Sequence, residues 1–163
     1  MQMQEFERIY EALGEHTLPR WEELPDFELY MDQVLSLVGR YLRKRPDSEE
    51  RPLTSSMVNN YVKLKVLPPP VSKRYSRTHI ARLLMICTLK SVIPISSIQK
   101  LLPEEEQMEA FYDRFCALYG QTNRELAASV PAESSLMASG SSLHAHKRID
   151  WHPAHRAVPN TLL

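Results

Sequence analysis

The chain has 163 residues, of which 43% are hydrophobic, and its 20 acidic and 20 basic residues give a formal net charge of zero. This length favours a single domain. Only four glycines are present beside twelve prolines, which argues against a strand-rich fold with many tight turns and against a glycine-rich phosphate loop. Two cysteines without a CxxC pair, and no signal-peptide pattern, predict a cytoplasmic protein. Charges and a proline interrupt the longest apolar run, so no membrane span is expected.

The charges are distributed unevenly along the chain. Residues 51–103 contain nine basic residues and no acidic one, whereas the segments before and after them carry formal charges of −6 and −3. Concentrated positive charge favours a polyanionic partner, because each phosphate contact releases condensed counterions. The middle of the chain therefore indicates a nucleic-acid partner.

The hydrophobic periodicity predicts a mainly α-helical protein. A weak amphipathic pattern predicts an N-terminal helical extension over residues 1–21, with its helix ending near Gly14. Asp26 is a candidate N-cap for a four-turn helix, and its apolar positions, among them Phe27 and Tyr30, are expected to face the core. A charged, proline-bounded loop is expected to follow.

The middle of the chain contains two capped helices separated by a basic turn. Thr54 and Ser55 are candidate caps for a helix that runs to about Lys65, where a triple proline follows and prevents continuation. Residues 71–76 form a short basic turn. The serine that ends this turn caps an apolar helix, and Pro94 is expected to end or kink that helix. A histidine in its first turn, His79, is interpreted as a surface residue.

The last predicted helix begins at Pro103 and ends near Gly120, because proline and acidic side chains favour a first turn. Residues 120–163 are predicted to be a low-order tail: after about residue 127 the periodicity disappears, and serine, alanine, proline and histidine predict disorder. The four histidines of the tail are interpreted as incidental composition, and no metal site is predicted.

Residues 53–102 have the element order of a winged helix-turn-helix DNA reader. The first capped helix would enter the major groove, and the basic turn would form the wing. Asparagine can form two hydrogen bonds with an adenine edge, whereas serine hydroxyls and helix N-terminal N–H groups suit phosphates. The candidate DNA-binding residues are Ser55, Ser56, Asn59, Asn60, Lys63, Lys73, Arg74, Tyr75 and Arg77.

Short motifs carry a resemblance to known regulators. Residues 66–69 resemble the leucine-leucine-proline exit of MerR-type proteins, and residues 73–76 resemble the end of the MerR wing. A closer similarity is to a bacterial YkrK-like family, a domain of unknown function with a predicted MerR-like helix-turn-helix. The resemblance covers about residues 22–119 and implies a double-stranded DNA-binding transcriptional regulator. The segments that carry the closer similarity are 24–26, 28–34, 53–54, 57–63 and 89–92.

The chain departs from the MerR pattern at several places. The MerR scaffold helix lies directly before the reading helix, whereas a charged loop intervenes here. Lys65 takes the usual glycine position, where a left-handed conformation costs about 1 kcal/mol. Asn59 replaces an arginine that commonly contacts the DNA backbone. The predicted helix over 104–119 is shorter than the MerR dimerisation helix, so a homodimer is compatible with the resemblance without being implied by it.

A protein–protein adaptor is the alternative, with the basic face binding an acidic partner or the acidic N-terminal region of the chain. Exposure of Lys63, Lys73, Arg74 and Arg77 on one side together with Asn59 and Asn60 would favour DNA, whereas coverage by Glu22, Glu23 or the acidic residues 104–106 would favour the adaptor. No HExxH, P-loop or dinucleotide fingerprint is present, so neither an enzyme nor a cofactor is predicted. The pattern identifies no effector.

Overall fold

Six α-helices and two short strands form the part of the chain that the computed structural model describes, which comprises residues 2–42 and 53–129, with side chains from residue 7 onward. The mainly α-helical fold is confirmed. Single turns of 3-10 helix lie at Trp21–Glu23 and Glu105–Gln107. The main elements in chain order are α1 (Gln2–Glu15), β1 (Leu29–Tyr30), α2 (Met31–Leu42), α3 (Ser55–Lys63), β2 (Arg74–Tyr75), α4 (Arg77–Leu89), α5 (Ile95–Leu101) and α6 (Met108–Ser129).

The helix α4 forms the centre of the core, because its buried side chains point in all directions around its axis. The helices α2, α5 and α6 and the strand β2 all contact it. His79 belongs to this buried set and is 7% exposed, so the expectation of a surface histidine was wrong. The buried residues of α4 are Thr78, His79, Ile80, Ala81, Leu83, Leu84, Met85, Ile86 and Cys87.

The residues after Asp26 form a bend and then the two-residue strand β1, and not the first turn of a helix, which corrects the prediction. Leu29 pairs with Tyr75 and Tyr30 with Arg74 in an antiparallel arrangement. Successive side chains of a strand point to opposite sides, so Leu29 is buried while Tyr30 is 56% exposed. The predicted core position of Tyr30 is therefore wrong, because strand pairing and not helical periodicity sets its orientation. Phe27 was also predicted to face the core, but it lies in the bend before β1 and is 63% exposed.

The helix α3 begins and ends close to the predicted boundaries. The Thr54 hydroxyl accepts a hydrogen bond from the Met57 N–H at 3.3 Å, as the N-cap prediction required. At the other end Lys65 is left-handed, with φ of 57°. The Val66 N–H donates to the Tyr61 carbonyl at 3.0 Å, which is the six-to-one bond of a Schellman cap. A lysine thus takes the conformation for which glycine is usual.

The helix α6 continues through Gly120 to Ser129, so the predicted helix end at this glycine was wrong. Gly120 is buried and has no positive φ. It contacts the segment that follows α1: a Cβ added there would lie 3.7 Å from the Thr17 methyl group, which is an ordinary van der Waals distance. The helix α1 packs along this part of α6. At the closest approach, a Cβ on Gly14 would lie only 2.8 Å from that of Ala127.

Some predictions fall on residues whose structure is not described. These are the charged loop at 46–52, the basic residues 43–45 before it, and the tail from residue 130 onward, including its four histidines. Within the described ranges, none of the helices combines the length and the apolar character that a membrane crossing needs.

Candidate nucleic-acid interface

One face of α3 is polar and exposed. The helical repeat places the five predicted reader residues on this face and turns Val58 and Tyr61, which are 0% and 5% exposed, toward the core. The first turn of α3 contains no acidic residue, so its positive dipole end is not neutralised by a side chain of that turn. The exposed residues of the face are Ser55, Ser56, Asn59, Asn60 and Lys63.

The predicted basic turn is a tight reversal with Lys73 at its tip. The Arg74 N–H donates to the Val71 carbonyl at 2.9 Å. Ser72 and Lys73 have φ of 50° and 61°. Two consecutive positive φ angles are those of a type I′ turn, the form whose twist matches a β-hairpin. The turn therefore presents the Lys73 ammonium group, which is exposed, away from the core.

Arg74 is exposed and partly engaged by the neighbouring strand. Its guanidinium lies 3.8 Å from the Glu28 carboxylate and 5.7 Å from the centroid of the Tyr30 ring. The side chains of the ion pair are about half exposed, at 51% and 48%. Pairs exposed to this extent contribute at most about 1 kcal/mol. Arg74 is thus oriented by β1 and remains accessible to a ligand.

Two predicted site residues do not face solvent freely. Tyr75 is 3% exposed, because it follows the outward-facing Arg74 on β2 and points inward. Burial also raises the pKa of the Tyr75 hydroxyl. Arg77 is half-buried: its Nε donates to the Pro25 carbonyl at 3.2 Å, and its guanidinium lies 5.6 Å from the centroid of Trp21. The structure therefore leaves seven of the nine candidate residues exposed.

A histidine caps α4, which the sequence interpretation missed. The Ser76 N–H donates to Nδ1 of His79 at 3.0 Å, and the Ser76 hydroxyl lies 2.9 Å from the same nitrogen. Burial lowers the pKa of His79, although the nearby carbonyls of Pro69 and Pro68 act in the opposite direction. Because Nδ1 accepts the Ser76 N–H bond, this nitrogen carries no proton in the cap. The Ser-x-x-His spacing, which imitates the usual Ser-x-x-Glu capping box, was the available signal.

The scaffold under the two exposed surfaces is α2, which contacts both α3 and β2. One basic residue of the segment 51–103, which contains no acidic residue, lies in the interior of the domain. Arg82 donates hydrogen bonds to the carbonyls of Pro103, at 2.6 Å, and of Val66, at 3.5 Å. Burial lowers the pKa of its guanidinium. Arg82 therefore joins the exit of α3 to the segment before α6 and is not a surface cation.

The acidic residues expected to cover the basic face under the adaptor interpretation do not do so in the described part of the chain. Asp113 forms an ion pair with Arg20, and Glu28 forms one with Arg74. Neither Glu22 and Glu23 nor the acidic run at 104–106 pairs with a cation of α3 or of the turn.

Residues 19–119 match the family model described as a domain of unknown function, DUF1836. The chain belongs to this family. No curated protein and no solved structure matches the chain.

The DUF1836 domain includes the whole candidate interface. Its first residue, Pro19, is fixed by Tyr112, whose hydroxyl donates to the Pro19 carbonyl at 2.8 Å. The helix α1 and residues 120–129 of α6 lie outside the matched range and pack against each other. They form an extension to the DUF1836 domain in this chain.

Proposed function

We propose that this protein binds double-stranded DNA as a transcriptional regulator, with α3 in the major groove and the turn at 71–74 as the wing. The observation that carries the proposal is the polar face of α3, which is exposed and free of acidic residues. On this face Asn59 and Asn60 can form paired hydrogen bonds with adenine edges, and Lys63 can contact a phosphate.

The order of the elements supports the same function. The chain order is β1, α2, α3, β2 and the buried helix α4, and β2 pairs with β1. This order is similar to that of a MerR-like winged helix-turn-helix. In this arrangement α2 is the scaffold helix, α3 the reading helix and β1 the partner of the wing strand. The described part of α2 ends at Leu42 and α3 begins at Ser55, whereas the usual motif joins its two helices by a turn of three or four residues.

Electrostatics makes the proposal testable by salt dependence. Lys63, Lys73 and Arg74 would contact phosphates, and each contact contributes to the slope of the logarithm of affinity against the logarithm of salt concentration. Arg74 would first have to exchange its contact with Glu28 for a phosphate oxygen. Tyr75 has no part in the contact, because it is buried.

The test measures DNA affinity by fluorescence anisotropy between about 50 and 200 mM salt, on duplexes selected from a random library. Lys73→Ala is expected to weaken binding to all sequences alike and to reduce the salt slope by about one. The matched control is Lys100→Ala, which removes the same charge from an exposed position on α5 and is expected to change the slope little. Absence of DNA binding by the wild-type protein at low salt would refute the proposal.

Base preference is tested separately with Asn59→Ala, repeating the selection from the random library. The loss of a paired contact with adenine is expected to relax the preference at one base position by about 1–3 kcal/mol. A uniform loss of affinity over all sequences would assign Asn59 to the backbone and not to a base.

An acidic protein partner is the second candidate, because apolar groups are exposed around Arg74. Tyr30 is 56% exposed and Val71 is 69% exposed, and exposed apolar side chains beside a charged group are typical of protein interfaces. Binding of a polyglutamate peptide at salt concentrations where no duplex binds would favour this adaptor function over DNA recognition.

A further inference from the structure

A cleft of about 540 Å³ lies between α6 and the segment of residues 17–23, beside the boundary of the DUF1836 match. Its volume is within the range of roughly 300–1,000 Å³ that is usual for small-molecule sites. Apolar and polar groups both line it. The cleft is separate from the candidate DNA-binding residues, none of which lines it.

Small residues form the floor of the cleft. Ala117 and Gly120 lie on the side of α6 that faces the segment 17–23. A Cβ on Gly120 would lie 3.3 Å from a terminal nitrogen of Arg124. Because glycine stands there, the Arg124 guanidinium can lie back along the helix and over the floor.

The charged groups of the cleft are committed to internal contacts, with one exception. Asp113 forms an ion pair with Arg20 at 3.6 Å and accepts a hydrogen bond from the Trp21 N–H at 2.9 Å. The Glu23 carboxylate accepts from the Arg20 N–H at 2.6 Å. Arg124, by contrast, has no hydrogen bond or ion pair with any residue in the described ranges. The cleft therefore offers one cation to a ligand.

The cysteine in the cleft does not offer covalent chemistry. Burial raises the pKa of the Cys116 thiol to about 11, so the thiol is protonated at neutral pH. Its Sγ lies 3.5 Å from the Pro19 carbonyl, to which the S–H donates.

We propose that this cleft binds a small monocarboxylic acid, which acts as an effector of the protein. The carboxylate would pair with Arg124 and accept a hydrogen bond from the Thr17 hydroxyl, while its apolar part would lie on Ala117 and Gly120. A dianionic phosphate fits less well, because the carboxylates of Asp113 and Glu23 also line the cleft and would repel the second charge.

A short series of contacts joins the cleft to the candidate DNA interface. Asp113 fixes the backbone of Trp21, and the Trp21 ring supports the guanidinium of Arg77, which lies two residues after β2. A carboxylate bound at Arg124 places a further negative charge in the cleft that Asp113 also lines, and a shift of Asp113 would alter the support of Arg77. The effector role therefore rests on the proposed DNA-binding function, whereas carboxylate binding does not.

The binding test uses the full chain and two-dimensional amide NMR, with benzoate, phenylacetate and hexanoate as probes and benzamide as the neutral match for benzoate. Saturable shifts are expected at Ala117, Gly120 and Arg124 with the carboxylates and not with benzamide. Arg124→Gln is expected to weaken carboxylate binding at least tenfold. The matched control, Arg114→Gln, removes a charge from an exposed position of α6 outside the cleft and should leave binding unchanged.

Three outcomes would overturn the site. They are equal binding of benzoate and benzamide, unchanged binding by Arg124→Gln, and no saturable shift with any carboxylate. DNA affinity is measured in parallel with and without a saturating carboxylate, and a change of about fivefold or more is expected. An unchanged DNA affinity would overturn the effector role and leave the site standing. Carboxylate binding by a protein that binds no duplex would refute the DNA function alone.

Discussion

At the scale of single residues, the cap of α3 is the clearest case of local strain. Lys65 has φ of 57°, and its backbone N–H donates to the Val62 carbonyl at 3.0 Å within the Schellman cap. A residue with a Cβ loses about 1 kcal/mol in this conformation relative to glycine. The cap retains it because the next two residues, Val66 and Leu67, are buried at 1% and 0% exposure and require the chain to reverse at this point.

Lys65→Gly is therefore expected to raise the free energy of unfolding by about 1 kcal/mol, measured by urea denaturation. The matched control is Lys63→Gly, made two residues earlier where the backbone is helical, which is expected to lower stability by up to about 1 kcal/mol. The change in the free energy of unfolding should therefore be positive for Lys65→Gly and negative for Lys63→Gly. A loss of stability with both variants would contradict the strain at Lys65.

Glu28 and Arg74 form the residue-scale contact that bears most directly on DNA affinity. The Glu28 carboxylate competes with phosphate for the Arg74 guanidinium across 3.8 Å. Under the proposed function, Glu28→Gln is expected to raise DNA affinity by up to about fivefold, the equivalent of the roughly 1 kcal/mol limit for an exposed pair. The control is Glu22→Gln, which removes the same charge from an exposed position without an ion pair in the described ranges. An equal gain for both variants would show a net-charge effect and would argue against competition at Arg74.

At the scale of elements, the sequence predicted α3 and α4 well because their determinants are local. The Thr54 cap, the buried Val58 and Tyr61, and the Ser76 start of α4 all follow from capping residues and helical spacing. The five reader residues of α3 were placed on one exposed face for the same reason. β1 could not be predicted, because it has two residues and exists only through its pairing with a strand more than 40 residues away.

The errors in the predicted site have the same non-local cause. Tyr75 faces inward because β2 pairs with β1 in one register, and the turn sequence contains no sign of that register. Likewise, the contacts of Arg77 with Pro25 and Trp21 join segments about 50 residues apart. Glycine is a frequent helix terminator, but α6 continues through Gly120, which is buried near Thr17 in the segment that follows α1.

The cap of α4 predicts how stability depends on pH. Burial lowers the pKa of His79, with Arg82 acting in the same direction and Glu105 in the opposite one. The unfolded chain therefore binds a proton more readily, near pH 6.5. The contribution of His79 to the free energy of unfolding is fully present above about pH 6.5. This contribution is lost as the pH falls from there toward the lower pKa of the folded state.

His79→Gln is expected to reduce the loss of stability at acidic pH, because glutamine can still accept the Ser76 N–H bond but does not titrate. The measurement is the difference in unfolding free energy between wild type and variant from pH 7.5 to 5. A difference that does not change with pH over this range would exclude His79 as the titrating group.

At the scale of the whole molecule, α1 docks on α6 through small residues and one buried histidine. The His16 carbonyl accepts a hydrogen bond from the Asn123 amide at 3.1 Å, and its Nδ1 lies 3.0 Å from the Tyr119 hydroxyl. Another contact joins His16 Nε2 to the Tyr41 carbonyl at the end of α2, at 3.3 Å. These contacts connect the end of α2 to α6, and Gly120, Gln121 and Arg124 of the same part of α6 line the cleft beside residues 17–23.

Gly14 tests whether this docking depends on close approach. In Gly14→Ala, the new Cβ would lie 2.8 Å from that of Ala127, so the two helices must move apart at a cost of about 1–3 kcal/mol, partly offset by the better helix propensity of alanine. Ala127→Gly removes the clash, so the double variant is expected to be more stable than the sum of the single effects predicts. The coupling from urea denaturation should be about 0.5–3 kcal/mol. Ala128→Gly makes the same change at an exposed neighbour, and equal coupling of Gly14→Ala with both alanines would exclude a specific contact at Ala127.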